Sequence, residues 1–153
     1  MKPPAEILKS IQHFCAYQER SQQEVRDKLY SMGLHRNEVE NAIADLISKG
    51  FVNEERFARA YAGGKFRING WGKIKIRNAL IQKKVSPRNI ETGLEGIDER
   101  DYSASLKKIL SQKLKAAKGE NIFLKKNKAA RFALSRGFEP ELVWDALDKL
   151  SEE

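Results

Sequence analysis

Residues 76–97, IRNALIQKKVSPRNIETGLEGI, decide how the rest of the sequence is read. Ile76 and Leu80 lie one helical turn apart, Val85 follows a polar turn, and Ile90, Leu94 and Ile97 resume helical spacing beyond Pro87. The pattern is a helix, a turn and a second helix. Moved back by 51 positions, the same six apolar sites are Val25, Leu29, Leu34, Val39, Ile43 and Leu46. Moved forward by 53, Val85, Ile90, Leu94 and Ile97 become Phe138, Val143, Leu147 and Leu150. Pro87 and Pro140 both stand at the first position of the helix after the turn, where a missing N–H does no harm; His35 and Arg36 hold that place in the first copy. Matched apolar positions with matched turns predict a repeat architecture.

Each copy opens with one more helix. Ile7, Ile11, Phe14 and Cys15 make Ala5 to about Gln18 amphipathic, after Pro3-Pro4. Ser21 with Glu24 has the form of a capping box for the next helix, which stops at Gly33, and the third runs from His35 to Gly50. Asn53, Glu54 and Glu55 start the second copy, whose opening helix passes Phe57 and Tyr61 and ends near Phe66 or Ile68. Asp98 and Asp101 start the third, with a helix from about Arg100 to Lys118 burying Tyr102, Leu106, Ile109, Leu110 and Leu114. Strand alternation is absent. The expected fold is all-α: three tandem three-helix repeats over residues 1–50, 51–97 and 98–153, elongated because each copy mainly contacts its neighbour.

The 153 residues are 41% hydrophobic, enough for ordinary core burial, and carry a net charge of +8. That charge is unevenly placed. From Arg56 to Ile90 there are ten lysines and arginines and no acid, and from Ser103 to Arg136 ten more with Glu120 as the single acid. A field of one sign attracts a polyanion, so a nucleic-acid-related role is the first expectation. Phe57, Tyr61, Ile74, Ile76, Leu80 and Val85 recur among these charges, which places them on a folded surface. One cysteine, Cys15, excludes an internal disulfide and fits a reducing compartment. With no secretory signal and no apolar run of membrane length, a soluble cytoplasmic monomer is expected.

The run Phe51-Val52-Asn53-Glu54-Glu55-Arg56-Phe57-Ala58 resembles the RecX family of bacterial regulators of the RecA recombinase. So do Arg67-Ile68-Asn69-Gly70-Trp71-Gly72-Lys73-Ile74-Lys75-Ile76 and Leu29 to Gly33 ahead of a helix ending in Ala42-Ile43 to Leu46. The similarity is strongest from Ser21 to Ile97 and extends through Arg131-Phe132-Ala133-Leu134-Ser135-Arg136-Gly137-Phe138. It implies three-helix repeats in a curved molecule that lodges in the groove of the RecA filament on single-stranded DNA. There such proteins limit filament growth and dampen ATP hydrolysis, strand exchange and repressor cleavage.

The candidate contact residues are Arg59, Lys65, Arg67, Trp71, Lys73, Lys75, Arg77, Lys83 and Lys84, joined in the third repeat by Lys125, Lys126, Lys128, Arg131 and Arg136. Together they are expected to make a shared basic, concave face for the RecA filament and its single-stranded DNA, with weak binding to naked DNA possible in addition. Trp71 either stacks on a base or partner pocket or closes a gap between repeats; Trp144, beside Val143, reads as core. Gly63-Gly64-Lys65 and Gly70-Trp71-Gly72-Lys73 lack Walker spacing and read as helix ends or turns. His13, His35 and Cys15 have no metal-ligand spacing, and Asp98, Glu99 and Asp101 are explained by helix capping, so neither an enzyme nor a cofactor is expected. The alternative is an autonomous helix-turn-helix-like DNA reader, against which stand the acids Glu38, Glu40, Asp45, Glu141, Asp145 and Asp148 on the helices that would enter the groove.

Overall fold

The computed structural model describes residues 4–117, 119 and 121–151, and among them it contains nine helices and no strand. They are α1 (Ala5–Tyr17), α2 (Gln22–Ser31), α3 (Arg36–Ser48), α4 (Glu54–Arg67), α5 (Lys73–Gln82), α6 (Pro87–Glu95), α7 (Glu99–Ala116), α8 (Ile122–Ser135) and α9 (Pro140–Ser151). Three consecutive triplets result. The expected helix end at Lys118 lies outside the described residues.

Compaction follows a different division. One compact unit comprises Met1–Tyr61 with Leu80–Gly93, the other Ala62–Ala79 with Leu94–Glu153, so the chain of the middle triplet is shared between them. In the first unit Ile11, Cys15, Val25, Leu29, Val39, Ile43 and Leu46 form a buried cluster against which Ile7, Phe14, Met32 and Phe51 pack. In the second, the Tyr102 ring lies 5.6 Å from Phe66 and 5.1 Å from Phe138.

The repeated apolar positions are core positions. All six of the first triplet and all six of the second are buried, as are Phe138, Val143 and Leu147; Leu150 is half-buried. The third triplet places Ala129 and Ala133 where the others have Val25 and Leu29 or Ile76 and Leu80, and both alanines are fully buried. Small side chains let the backbone of α8 approach its neighbours where larger ones hold it off.

Local chemistry sets the helix starts. Ser21 Oγ accepts from the Glu24 N–H at 3.0 Å while Glu24 Oε1 accepts from the Ser21 N–H at 3.1 Å, both halves of the capping box. Asn53, Asp98 and Asn121 each accept, through the side chain, from the N–H three residues on, at 2.9 Å. Glu54 accepts from the Gln22 backbone, and burial holds its carboxyl above the usual range.

Two sequence expectations are corrected. Gly63 and Gly64 lie inside α4, not at its end; Gly63 is buried, and a side chain there would meet the Arg67 guanidinium one turn on, at 2.7 Å. Trp144 is 40% exposed, because the 3.6-residue stripe of α9 turns Val143 and Leu147 inward and carries position 144 about 100° away.

The turns between the second and third helices repeat in detail. Gly33, Lys84 and Gly137 occupy equivalent places and share left-handed backbones, with φ of 91°, 62° and 97°. Each donates its N–H three residues back, to Tyr30, Ile81 and Leu134. The next residue donates five back, to Leu29, Leu80 and Ala133, the pattern of a Schellman stop. Lys84 is thus an L-residue in a glycine position. Relief of left-handed strain, roughly 1–2 kcal/mol, outweighs glycine's extra chain entropy, roughly 0.5–1 kcal/mol. Lys84→Gly should therefore raise stability by up to about 1 kcal/mol, a gain of roughly 2–4 °C in melting temperature. A lower melting temperature would show that the lysine makes a compensating contact.

Candidate functional site

Helix α5 begins with backbone donors that no earlier turn can satisfy. The Gly72 N–H donates to the Arg136 carbonyl at 2.7 Å and the Ile74 N–H to the Gly137 carbonyl at 3.0 Å. Between them the Lys73 N–H donates to the Tyr102 hydroxyl at 2.9 Å, and that hydroxyl in turn donates to Glu139. The start of α5, the α8–α9 turn and α7 are thereby locked together within the second unit. The contact is backbone on backbone: a Cβ on Gly72 would fall on Gly137 and Phe138, and one on Gly137 would fall on Lys75.

These bonds also decide what the Gly70-Trp71-Gly72-Lys73 run can do. A helix start binds phosphate through its free N–H groups, and here the donors of Gly72, Lys73 and Ile74 are already committed to protein acceptors. The run is a structural turn, and its binding capacity lies in side chains.

Two flanking lysines converge on Trp71, which is half-buried. Lys65 Nζ lies 4.9 Å and Lys75 Nζ 4.8 Å from its ring centroid, within cation–π range. Lys73 Nζ stands 4.8 Å from the Tyr102 ring, and Arg136 is held by its carbonyl in the clamp with its guanidinium 5.1 Å from Phe132. Residues 65 to 75 and residue 136, far apart in sequence, therefore share one rigid neighbourhood. An ammonium resting on an aromatic face stays partly hydrated and remains able to meet an anion.

The other candidates sit differently. Arg67 lies over Gly63, and Arg77 is half-buried on α5. Lys125, Lys126, Lys128 and Arg131 lie earlier along α8, where Lys126 pairs with Asp148 at 3.8 Å. Arg59, Lys83 and Lys84 belong to the first unit; Arg59 pairs with Glu55 at 2.9 Å and Lys83 Nζ lies 5.6 Å from the Tyr61 ring.

Three features escape a reading by charge and motif. Tyr102 has core spacing but its hydroxyl is an acceptor for α5. Lys113 Nζ lies 4.0 Å from Phe132, beside Arg136, although its sequence position marks it only as one lysine in a solvent-facing row. The electrically neutral first triplet holds a third group, with the Arg20 guanidinium 3.8 Å above Phe14, Lys28 Nζ 5.6 Å from the same ring, and Tyr17 exposed. Among the described residues no three His, Cys, Asp or Glu side chains could hold a metal ion, and no helix is long and apolar enough to cross a membrane.

Family models match the chain in three consecutive blocks: the first three-helix domain of RecX at residues 12–46, the second at 53–94 and the third at 100–147. The chain belongs to the RecX family. Regulatory protein RecX of Clostridium tetani is 32% identical over 133 residues, covering 86% of this chain and 61% of the relative. That of Clostridium perfringens strain 13 is 32% identical over 123 residues, 78% of this chain and 57% of the relative. The chain thus spans roughly three-fifths of the length of these curated relatives. The RecX of Chlorobium phaeobacteroides is 26% identical, with 86% of this chain and 85% of the relative covered. The crystal structure of RecX from Lactobacillus salivarius superposes with a TM-score of 0.89 at 20% identity, covering 95% of both chains. A second RecX crystal structure gives 0.83 at 17% identity, with 94% of this chain and 71% of that one covered, and both share the fold.

Tyr102 provides a test of the clamp within this RecX fold. Burial first, then the bond to Glu139, raise its phenol pKa well above the usual tyrosine value. A raised folded-state pKa stabilises fully below the unfolded value, roughly 10, and that contribution is lost as pH rises through the folded one. Tyr102→Phe, which keeps the ring, should cost about 1–3 kcal/mol at neutral pH by orphaning the Lys73 N–H. It should also flatten the fall in stability above about pH 10. Urea titrations at pH 7 and pH 11 measure both; an unchanged alkaline slope would remove Tyr102 from the clamp.

Proposed function

We propose that this chain is a non-enzymatic regulator that docks on the RecA filament assembled on single-stranded DNA and restrains its ATP hydrolysis, strand exchange and coprotease activity. Family membership supports the regulatory role, since the curated relatives are named regulatory proteins. The observation that carries the reading is the Trp71 group: Lys65 and Lys75 over one half-buried indole, with Lys73 on Tyr102 and Arg136 on Phe132 brought to the same backbone clamp. Such an arrangement presents cations to phosphates without the ordering cost of free lysines, and offers a ring edge to a base or an apolar partner.

The three repeats, 1–50, 51–97 and 98–153, serve as its modules, and a monomer acts in the cytoplasm. Arg59, Arg67, Arg77, Lys83, Lys84, Lys125, Lys126, Lys128 and Arg131 extend the contact beyond the Trp71 group. Touching neighbouring filament subunits at once hinders their relative movement and further addition, so inhibition needs no catalytic side chain.

Added to RecA on single-stranded DNA, the chain should slow ATP hydrolysis. Replacing Lys73, Lys75 and Arg77 together with glutamate should weaken that effect at least tenfold while leaving the circular dichroism of the helices unchanged. With about five single-strand phosphates contacted, log affinity should fall against log salt with a slope of about −3.5. Full inhibition by the reversed variant would reject this surface, and tight binding to bare duplex DNA with no effect on RecA would favour an autonomous DNA reader.

A further inference from the structure

A recess of about 320 Å³ in the first unit lies between the α1–α2 loop, α4 and the end of α5. This is the small end of the range of ligand pockets, roughly 300–1,000 Å³. Its wall carries Phe57 and Tyr61, whose rings stand 5.7 Å apart at 31°, and Lys83, whose ammonium lies 5.6 Å from the Tyr61 centroid. Across from them are two carboxylates. Each has one oxygen engaged within the protein, Glu19 Oε1 by the Arg56 Nε–H and Glu24 Oε1 by the Ser21 N–H, which leaves each a second oxygen as acceptor. Aromatic faces, one cation and two acceptors are thus assembled in one small space.

Next to Lys83 stands Lys84, the one non-glycine residue with positive φ among the described residues, at a turn that has glycine in both other triplets. Retention of an L-residue where the backbone favours glycine points to a task for its side chain. Lys83 lines the recess, and Lys84 follows it directly in the chain.

We propose that this recess holds a single nucleotide whose base carries adjacent N–H donors, guanine foremost. The base stacks on Tyr61, its Watson–Crick edge donates to Glu19 and Glu24, and its phosphate meets the Lys83–Lys84 turn. Guanine offers neighbouring N1–H and N2–H groups, whereas thymine offers a single N3–H, so the carboxylates discriminate between them. A cationic side chain from a partner protein suits the carboxylates but not the ammonium already facing Tyr61.

The site belongs to the first unit and the Trp71 group to the second, and binding here requires no recombinase. Its test therefore stands separately from that of the regulatory reading. The whole chain is titrated with GMP and with TMP while its aromatic and lysine resonances are followed by NMR. GMP should shift Phe57, Tyr61 and Lys83 and bind at least fivefold tighter than TMP. Glu24→Gln retains the capping box, which accepts glutamine, and should bring GMP down to the level of TMP. Tyr61→Leu should abolish both; should it fail to fold, Glu24→Gln decides. Equal binding of the two nucleotides, GMP shifts centred on Trp71, or tighter binding of arginine amide than of GMP would overturn the assignment.

Discussion

The start of α5 makes the second unit a single object. Its first backbone donors find acceptors that arrive about 30 and 65 residues later in sequence, a phenol from α7 and two carbonyls from the α8–α9 turn. A buried N–H left without a partner costs more than an ordinary hydrogen bond contributes, so these bonds are strongly specified once the aromatic contacts of Tyr102 close. Gly72 and Gly137 are required because backbone meets backbone there. Lys73, Lys75 and Arg136 inherit their positions from this contact, and the cationic group is a consequence of the packing.

The same turn serves three purposes in the three triplets. At Gly33 it ends a helix. At Gly137 it ends a helix and offers its carbonyl to α5. At Lys84 the stop is kept with a charged side chain in place of glycine, at the cost of left-handed strain. One local solution, repeated in all three triplets, is thus put to structural use in one copy and displays a cation in another.

Much of the fold was legible because it depends on local rules. Ser21 with Glu24, Asn53, Asp98, Pro87 and Pro140 each mark a helix start by chemistry within four residues, and the apolar repeat from Val25 to Leu46 marks which faces are buried. Ala129 and Ala133 were not legible, since alanine carries too little hydrophobicity to register in a pattern of leucine and valine. Gly63 misleads because a double glycine normally breaks a helix, whereas here α4 runs through it and the Arg67 side chain lies over it one turn on. For the candidate site, charge counting found the residues but not their grouping. Nothing in Tyr102 or Gly137 announces a contact with residues 72 to 74, because acceptor and donor lie in different helices.

Grouping separates the cations more sharply than their number does. Arg59 and Lys126 stand beside carboxylates at 2.9 and 3.8 Å, as do Arg26 at 2.7 Å from Glu40 and Lys49 at 3.0 Å from Asp45. Exposed pairs of this kind cancel their own fields at short range and contribute little to stability, roughly 0–1 kcal/mol. Lys73 and Lys75 instead face aromatic rings, whose quadrupole steadies a cation without neutralising it. Their charge therefore still projects outward, screened only by salt over about 8 Å at physiological ionic strength. A phosphate chain approaching the second unit would feel this group before it felt the ion-paired lysines and arginines. The ring under each ammonium, rather than the total of +8, is what gives the surface its direction.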